Sequence, residues 1–131
     1  MTTKRRMTHP AVAEPPPQTW SNCLAVGDWI FTAGVTARDG ATILAEDEYG
    51  QAKAIFGKIE TLLTAADARM DDVVKLVIYV TDIARREEVW RARREFFVEP
   101  YPVSTLVEAA ALALPGLKVE IEAVAVRGAG G

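Results

Sequence analysis

Residues Val119 to Val126 read Val-Glu-Ile-Glu-Ala-Val-Ala-Val. In an extended chain Val119, Ile121, Ala123 and Ala125 point one way, while Lys118, Glu120, Glu122 and Val124 point the other. This alternation predicts a strand that buries one face completely and presents a mixed, carboxylate-bearing face on the other. It asks for a sheet with helices on a single side.

Val73 to Thr81 (VVKLVIYVT) is β-branched, almost continuously apolar and too short for an independent helix, which predicts a central strand. Ala52, Ile55, Phe56, Ile59, Leu62, Leu63 and Ala66 repeat at helical spacing and predict an amphipathic helix from about Glu46 to Ala66. A second helix is expected from about Arg85 to Phe97, with Val89, Trp90 and Phe97 on its packing side. Gly27-Asp28 suits a tight turn between strands at Asn22–Val26 and Trp29–Ala33. Further strands are expected at Thr42–Leu44 and Ser104–Ala111, with a turn at Ala113–Gly116. The order hairpin, helix, strand, helix, two strands gives an α+β fold: a mixed β-sheet with two helices packed on one face. The other face is partly apolar and calls for a partner, most simply another copy of the chain.

The 131 residues make one domain. Residues 1–19 hold four of the seven prolines, three of them consecutive at Pro15–Pro17, and are read as a flexible arm. The domain proper is expected over 20–126 and a flexible Gly/Ala tail over 127–131. The net charge of -3 opposes nucleic-acid binding. Cys23 is the one cysteine, so no internal disulfide exists, and it is read as a small buried residue. His9 is the one histidine and lies in the arm, which argues against a histidine-based triad or metal site. No apolar run is long enough to span a membrane and no secretory signal follows Lys4–Arg6. A cytoplasmic protein with no metal and no membrane partner is expected.

Several stretches resemble the RidA (YjgF/UK-type) family. Val26 to Gly34 (VGDWIFTAG) is similar to its opening VGNxxFxSGQ, and Ala65 to Lys75 (AADARMDDVVK) to its AAGxxxxDVVK. Tyr79-Val80-Thr81-Asp82 and Arg94-Glu95-Phe96-Phe97 fit its YxxD and xEFF landmarks, and Val119–Val126 is near its VEIEAIAV. The likeness runs from about Trp20 to Val126. It implies a chorismate-mutase-like, trimer-forming fold with ligand clefts between subunits. It also implies hydrolysis of reactive enamines or imines, such as 2-iminobutanoate and 2-iminopropanoate, to ketoacids and ammonia without a cofactor.

The resemblance also marks the site. Glu120 matches the glutamate thought to position the attacking water, and Trp20 matches a pocket tyrosine. Gly34 matches a glycine of close backbone approach, and Val35 stands where the family has glutamine. The family's P-x-R-[ST]-x-V-E stretch reads Pro102-Val103-Ser104-Thr105-Leu106-Val107-Glu108, so Ser104 replaces the arginine that clamps a substrate carboxylate. Thr105 and Leu106 still offer backbone groups. A charge-assisted hydrogen bond contributes about 1.5–3 kcal/mol, against about 0.5–1.5 for a neutral one. Loss of the clamp therefore weakens carboxylate binding by roughly tenfold to a thousandfold. Arg38, Arg91 and Arg93 are candidate substitute cations. Against this, the second helix alternates Arg and Glu, and Glu87 and Arg91 have favourable i, i+4 spacing for a solvated salt-bridged face. Two functions follow: a divergent imine deaminase with altered substrate preference, or a non-catalytic homotrimer that binds a small metabolite in the same cleft.

Overall fold

The computed structural model describes residues 3–131; Met1 and Thr2, the start of the expected arm, lie outside the described residues. Among those residues the strands are β1 (Lys4–Arg6), β2 (Cys23–Val26), β3 (Trp29–Thr32), β4 (Val35–Thr36), β5 (Arg38–Asp39), β6 (Thr42–Ile43), β7 (Val73–Val80), β8 (Val103–Glu108) and β9 (Val119–Val126). The helices are α1 (Glu48–Ala65) and α2 (Arg86–Arg94), with short 3-10 turns at Met70–Asp72 and Ile83–Arg85.

The main sheet runs β1-β2-β3-β9-β7-β8, with β4 also pairing β9, and only β7 and β8 are parallel. β9 is its spine. β7 pairs along one edge of it, and β3 and then β4 along the other. Val119, Ile121, Ala123 and Ala125 are buried, as their alternation requires. Fully buried Ile55, Phe56, Ile59, Leu62 and Leu63 of α1 complete the core with them. The fold class is therefore the one the pattern demands, a mixed sheet with two helices on one face.

Local chemistry explains the boundaries. Asp47 caps α1 by accepting from the Gly50 N–H at 2.7 Å, so the helix starts two residues later than apolar spacing alone suggests. The β2–β3 hairpin turns on Gly27 at φ 59, a conformation that a side chain disfavours. α2 ends at Arg94 rather than running to Phe97. Phe96 and Phe97 leave the helix and pack on Phe56, with ring centroids 5.2 and 5.5 Å away. The strand expected at Ser104–Ala111 is shorter, at Val103–Glu108. The expected Glu87–Arg91 pair is replaced by Arg91–Glu88 at 2.6 Å.

Among the described residues, the segments towards both ends lie on the domain. Lys4–Arg6 pairs antiparallel with β2, a strand hidden in the sequence by its charge. Met7 donates its N–H to the Cys23 carbonyl, and Asn22 Nδ2 donates to the Ala13 carbonyl. At the other end, Arg127 donates twice to the Ala66 carbonyl, at 3.1 and 2.8 Å. Gly130 donates to Asp72. Burial alone would raise the Asp72 carboxyl, but backbone N–H groups of Gly130, Arg69 and Gly128 hold it below the usual carboxylate range.

Gln51 fastens the C-terminal turn to α1. It is fully buried; its Nε2 donates to the carbonyls of Ala45 and Gly116, and its Oε1 accepts from the Lys118 N–H at 2.8 Å. Gln51→Leu keeps the volume but takes their partner from three part-buried backbone groups. Denaturant unfolding should show a loss of about 2–5 kcal/mol; an unchanged midpoint would remove Gln51 from this role.

Candidate active site

The ladders decide which residues can meet. Paired residues on neighbouring strands share a face. Glu120 is opposite Tyr79 on β7 and Thr36 on β4, and Glu122 is opposite Val77. All lie on the face away from the helices. Glu120 is half-buried there and leans on Gly34. A Cβ placed at Gly34 would stand 2.3 Å from Glu120 Oε2, so the carboxylate occupies space that any other residue would fill. Burial raises the proton affinity of Glu120, and the neighbouring negative charge of Glu122 raises it further. Glu122 itself accepts from Tyr79 Oη at 2.7 Å. That bond to Glu122 is the main reason the Tyr79 hydroxyl is also harder to ionise. The sequence reading used Tyr79 only as a landmark; its register opposite the carboxylates gives it a part in the site.

Gly34 also borders a cleft of about 670 Å3. Trp20, Arg38 and Lys58 line it, and Ala11 to Pro16 close one side. Trp20 is 48% exposed, so its indole is available as a wall. Val35 lines the cleft too, but its side chain is buried and its register with Ile121 places it on the helix side. Lys58 Nζ donates to the carbonyls of Thr36 (3.0 Å) and Arg38, which fixes the loop after β4. Burial makes Lys58 easier to deprotonate.

β8 carries the remaining candidates on a strand edge that no other strand of the described residues covers. Thr105 pairs with Val77 and so shares the Glu120 face. Ser104 and Leu106 pair with Leu76 and Ile78 and face the helices. Leu106 packs against the core, and Ser104 Oγ accepts from Arg93 Nη1 of α2 at 2.8 Å. Arg91 is committed elsewhere: it pairs with Glu88 and lies over the Tyr49 ring at 3.6 Å. One chain thus sets Glu120 against Gly34 on the open face, while Trp20 lines a cleft that Gly34 shares with Ala54, Lys58 and Thr61 of α1, and Ser104 meets Arg93 on the helix side.

Cys23 is buried, and burial pushes its thiol up to about 11, which makes it an inert core residue. Among the described residues no group of His, Cys, Asp and Glu could hold a metal ion, and no helix is long and apolar enough to cross a membrane.

A carboxylate with raised proton affinity on the open face of a helix-backed mixed sheet, against a wall without a side chain, defines a RidA/YjgF-type domain. The chain belongs to that family: the model for Endoribonuclease L-PSP matches residues 11–127. It is 34% identical over 111 residues to a RutC family protein of Pyrococcus abyssi, spanning 81% of this chain and 84% of that one. It is 32% identical over 106 residues to the 2-iminobutanoate/2-iminopropanoate deaminase of Salmonella typhimurium, spanning 78% and 82%. Among solved structures, a Pseudomonas aeruginosa protein of unknown function superposes with a TM-score of 0.90 at 39% identity, covering 98% of this chain and 95% of that one. RidA from an Antarctic Psychrobacter superposes at 0.82 with 29% identity, covering 93% and 99%.

The Glu120 environment has a pH consequence. Its folded-state pKa is raised, so its contribution to stability is full below the unfolded value of about 4.3 and is lost as pH rises through the folded value. Glu120→Gln should therefore raise the denaturation midpoint at pH 7, modestly because the group is half-exposed, and the gain should fade below about pH 4. A gain that grows on acidification would contradict this environment. The comparison is made at one protein concentration.

Proposed function

We propose that the protein is a RidA-like deaminase that hydrolyses reactive imines or enamines in the cytoplasm to a carbonyl product and ammonia. It acts as a homotrimer whose clefts lie between subunits, and it brings no cofactor of its own. The observation that carries this reading is the half-buried Glu120 carboxylate, seated against Gly34 with its proton affinity raised. The kinship with a 2-iminobutanoate/2-iminopropanoate deaminase supports the reaction class.

The chemistry fits one carboxyl group. Water adds its oxygen to the C=N carbon while the Glu120 carboxylate takes one of its protons and passes it to the nitrogen, giving a carbinolamine. Glu120 then takes the hydroxyl proton as the C=O bond forms and hands it to the nitrogen as the C–N bond breaks, releasing ammonia. The group ends as the carboxylate it began as. A carboxyl that holds its proton more strongly than usual is better matched to giving and taking near neutral pH. Gly34 leaves room for the carboxylate, and Trp20 supplies a flat wall.

The open sheet face supports assembly. Trp29 and Phe31 lie on it 52% and 42% exposed and stacked at 6.4 Å, and Val103 and Val107 of β8 continue the apolar surface. Covering that face with other copies would bring one copy's β8 edge towards the Glu120 region of another. Ser104 in place of the family's arginine shifts substrate preference, and it keeps the metabolite-binding trimer as the competing reading.

The test is ammonia release from freshly generated 2-iminopropanoate and 2-aminoacrylate. The parent should accelerate it in proportion to protein concentration and in the presence of a chelator. Glu120→Gln should slow it by about a hundredfold to ten-thousandfold while sedimentation still reports a trimer. Equal rates would remove Glu120 from the chemistry. No acceleration by a folded parent trimer would favour the metabolite-binding reading.

A further inference from the structure

Alternation along β9 sets Glu120 and Glu122 on the same face, two residues and about 7 Å apart. Two identical carboxyl groups at that spacing compete for a proton, so something has to make them unlike before either has a fixed role. Tyr79 supplies the difference. In the β7–β9 ladder it stands directly opposite Glu120, yet its hydroxyl crosses the diagonal and donates to Glu122 Oε1 at 2.7 Å. Its one proton is thereby committed, and among the described residues no hydrogen bond reaches the Glu120 carboxylate, which is seated on Gly34 instead. Thr36 of β4 faces Glu120 across its other edge and carries no charge. The cations of this face are Lys75, opposite Val124, and Lys118, just before β9. Among the described residues neither lies within ion-pair distance of a carboxylate. Burial and then the Glu122 charge raise the proton affinity of Glu120, with no cation to offset them.

We propose that Tyr79 and Glu122 are positioning residues for the hydrolysis: Glu122, fastened by the Tyr79 hydroxyl, is a fixed negative charge that assigns the work of carrying protons to Glu120. This deepens the deaminase reading and rests on it for the claim that the protons carried belong to water and substrate. Neither residue touches the reacting atoms. Glu122 acts through its field, and Tyr79 acts through Glu122 by holding that carboxylate in place. Charge and geometry can be separated. Glu122→Gln removes the charge, while its carbonyl oxygen still accepts from the hydroxyl. Tyr79→Phe removes the fastening and keeps the ring. Without the Glu122 charge Glu120 ionises more easily and is a weaker base.

Two readouts on the intact oligomer test this. The first is NMR titration of the Glu120 carboxyl carbon in protein carrying isotope-labelled glutamate, with the signal assigned by its loss in Glu120→Gln; no substrate is needed. The second is kcat/KM for 2-iminopropanoate against pH. In Glu122→Gln the Glu120 midpoint and the acid limb of the profile should both move to lower pH, and the plateau should fall by about twofold to tenfold as the base weakens. In Tyr79→Phe the two carboxylates should share their proton, so the single step should broaden into two. Adding Tyr79→Phe to Glu122→Gln should change neither readout further, which a packing role for the tyrosine would not give. An unmoved Glu120 midpoint in Glu122→Gln, or effects of the two substitutions that simply add, would overturn the proposal. If Glu122→Gln fails to assemble, Tyr79→Phe decides: one unbroadened step at the parent position rejects the assignment. A shifted midpoint without imine hydrolysis by the parent would keep the electrostatic pair and reject the deaminase. Hydrolysis whose acid limb stays in place in Glu122→Gln would keep the deaminase and reject the pair.

Discussion

The structure depends on the two-sidedness of β9. Four of its side chains close the core against α1, so the strand cannot slip by one residue without exchanging Val119, Ile121, Ala123 and Ala125 for a set that includes Glu120 and Glu122. Its position between β7 on one edge and β3 with β4 on the other then fixes the register of every strand that meets it. The same constraint places Glu120. The core holds Ile121 in, and Glu120, one residue away, has to face out. Chemistry on the open face is thus anchored by packing on the closed one.

Much of the fold was legible because hydrophobic period carries it. The stripe Ala52, Ile55, Phe56, Ile59, Leu62, Leu63 is buried without exception, and VVKLVIYV forms a long strand beside β9. What period could not show are elements held by backbone pairing alone. β1 is Lys-Arg-Arg, charged and exposed throughout, and only its ladder with β2 makes it a strand. β4 has two residues, too few to show alternation. The second helix stops short because Phe96 and Phe97 gain more by reaching Phe56 than by continuing α2, a tertiary preference that no local pattern records.

The site was legible to a lesser degree. Of the residues that family likeness marked, Glu120 and Gly34 are in contact, and the wedge of one against the other is a physical reason for a glycine there. The partners of these residues were not visible. Tyr79 reaches Glu122 across 43 positions of sequence, and Arg93 reaches Ser104 across a helix-to-strand crossing. The first follows from the β7–β9 register and the second from the packing of α2 on the sheet, so only the finished fold reveals which side chains meet. Arg93 was one of three cations named as candidates to replace the charge missing at Ser104, and its guanidinium stands against the Ser104 hydroxyl.

The strand at Lys4–Arg6 has a consequence for how copies of this chain can add to one another. Sheets polymerise by their borders, and this sheet has two of unlike character. At β1 the outermost strand is only three residues long and wholly cationic. A second β1 laid against it antiparallel would align like charges, so growth in that direction is self-limiting. At β8 the border alternates apolar residues with the neutral hydroxyls of Ser104 and Thr105 and carries one charge, at Glu108. The two borders are therefore chemically unlike, and three basic residues oppose the joining of two copies β1 to β1.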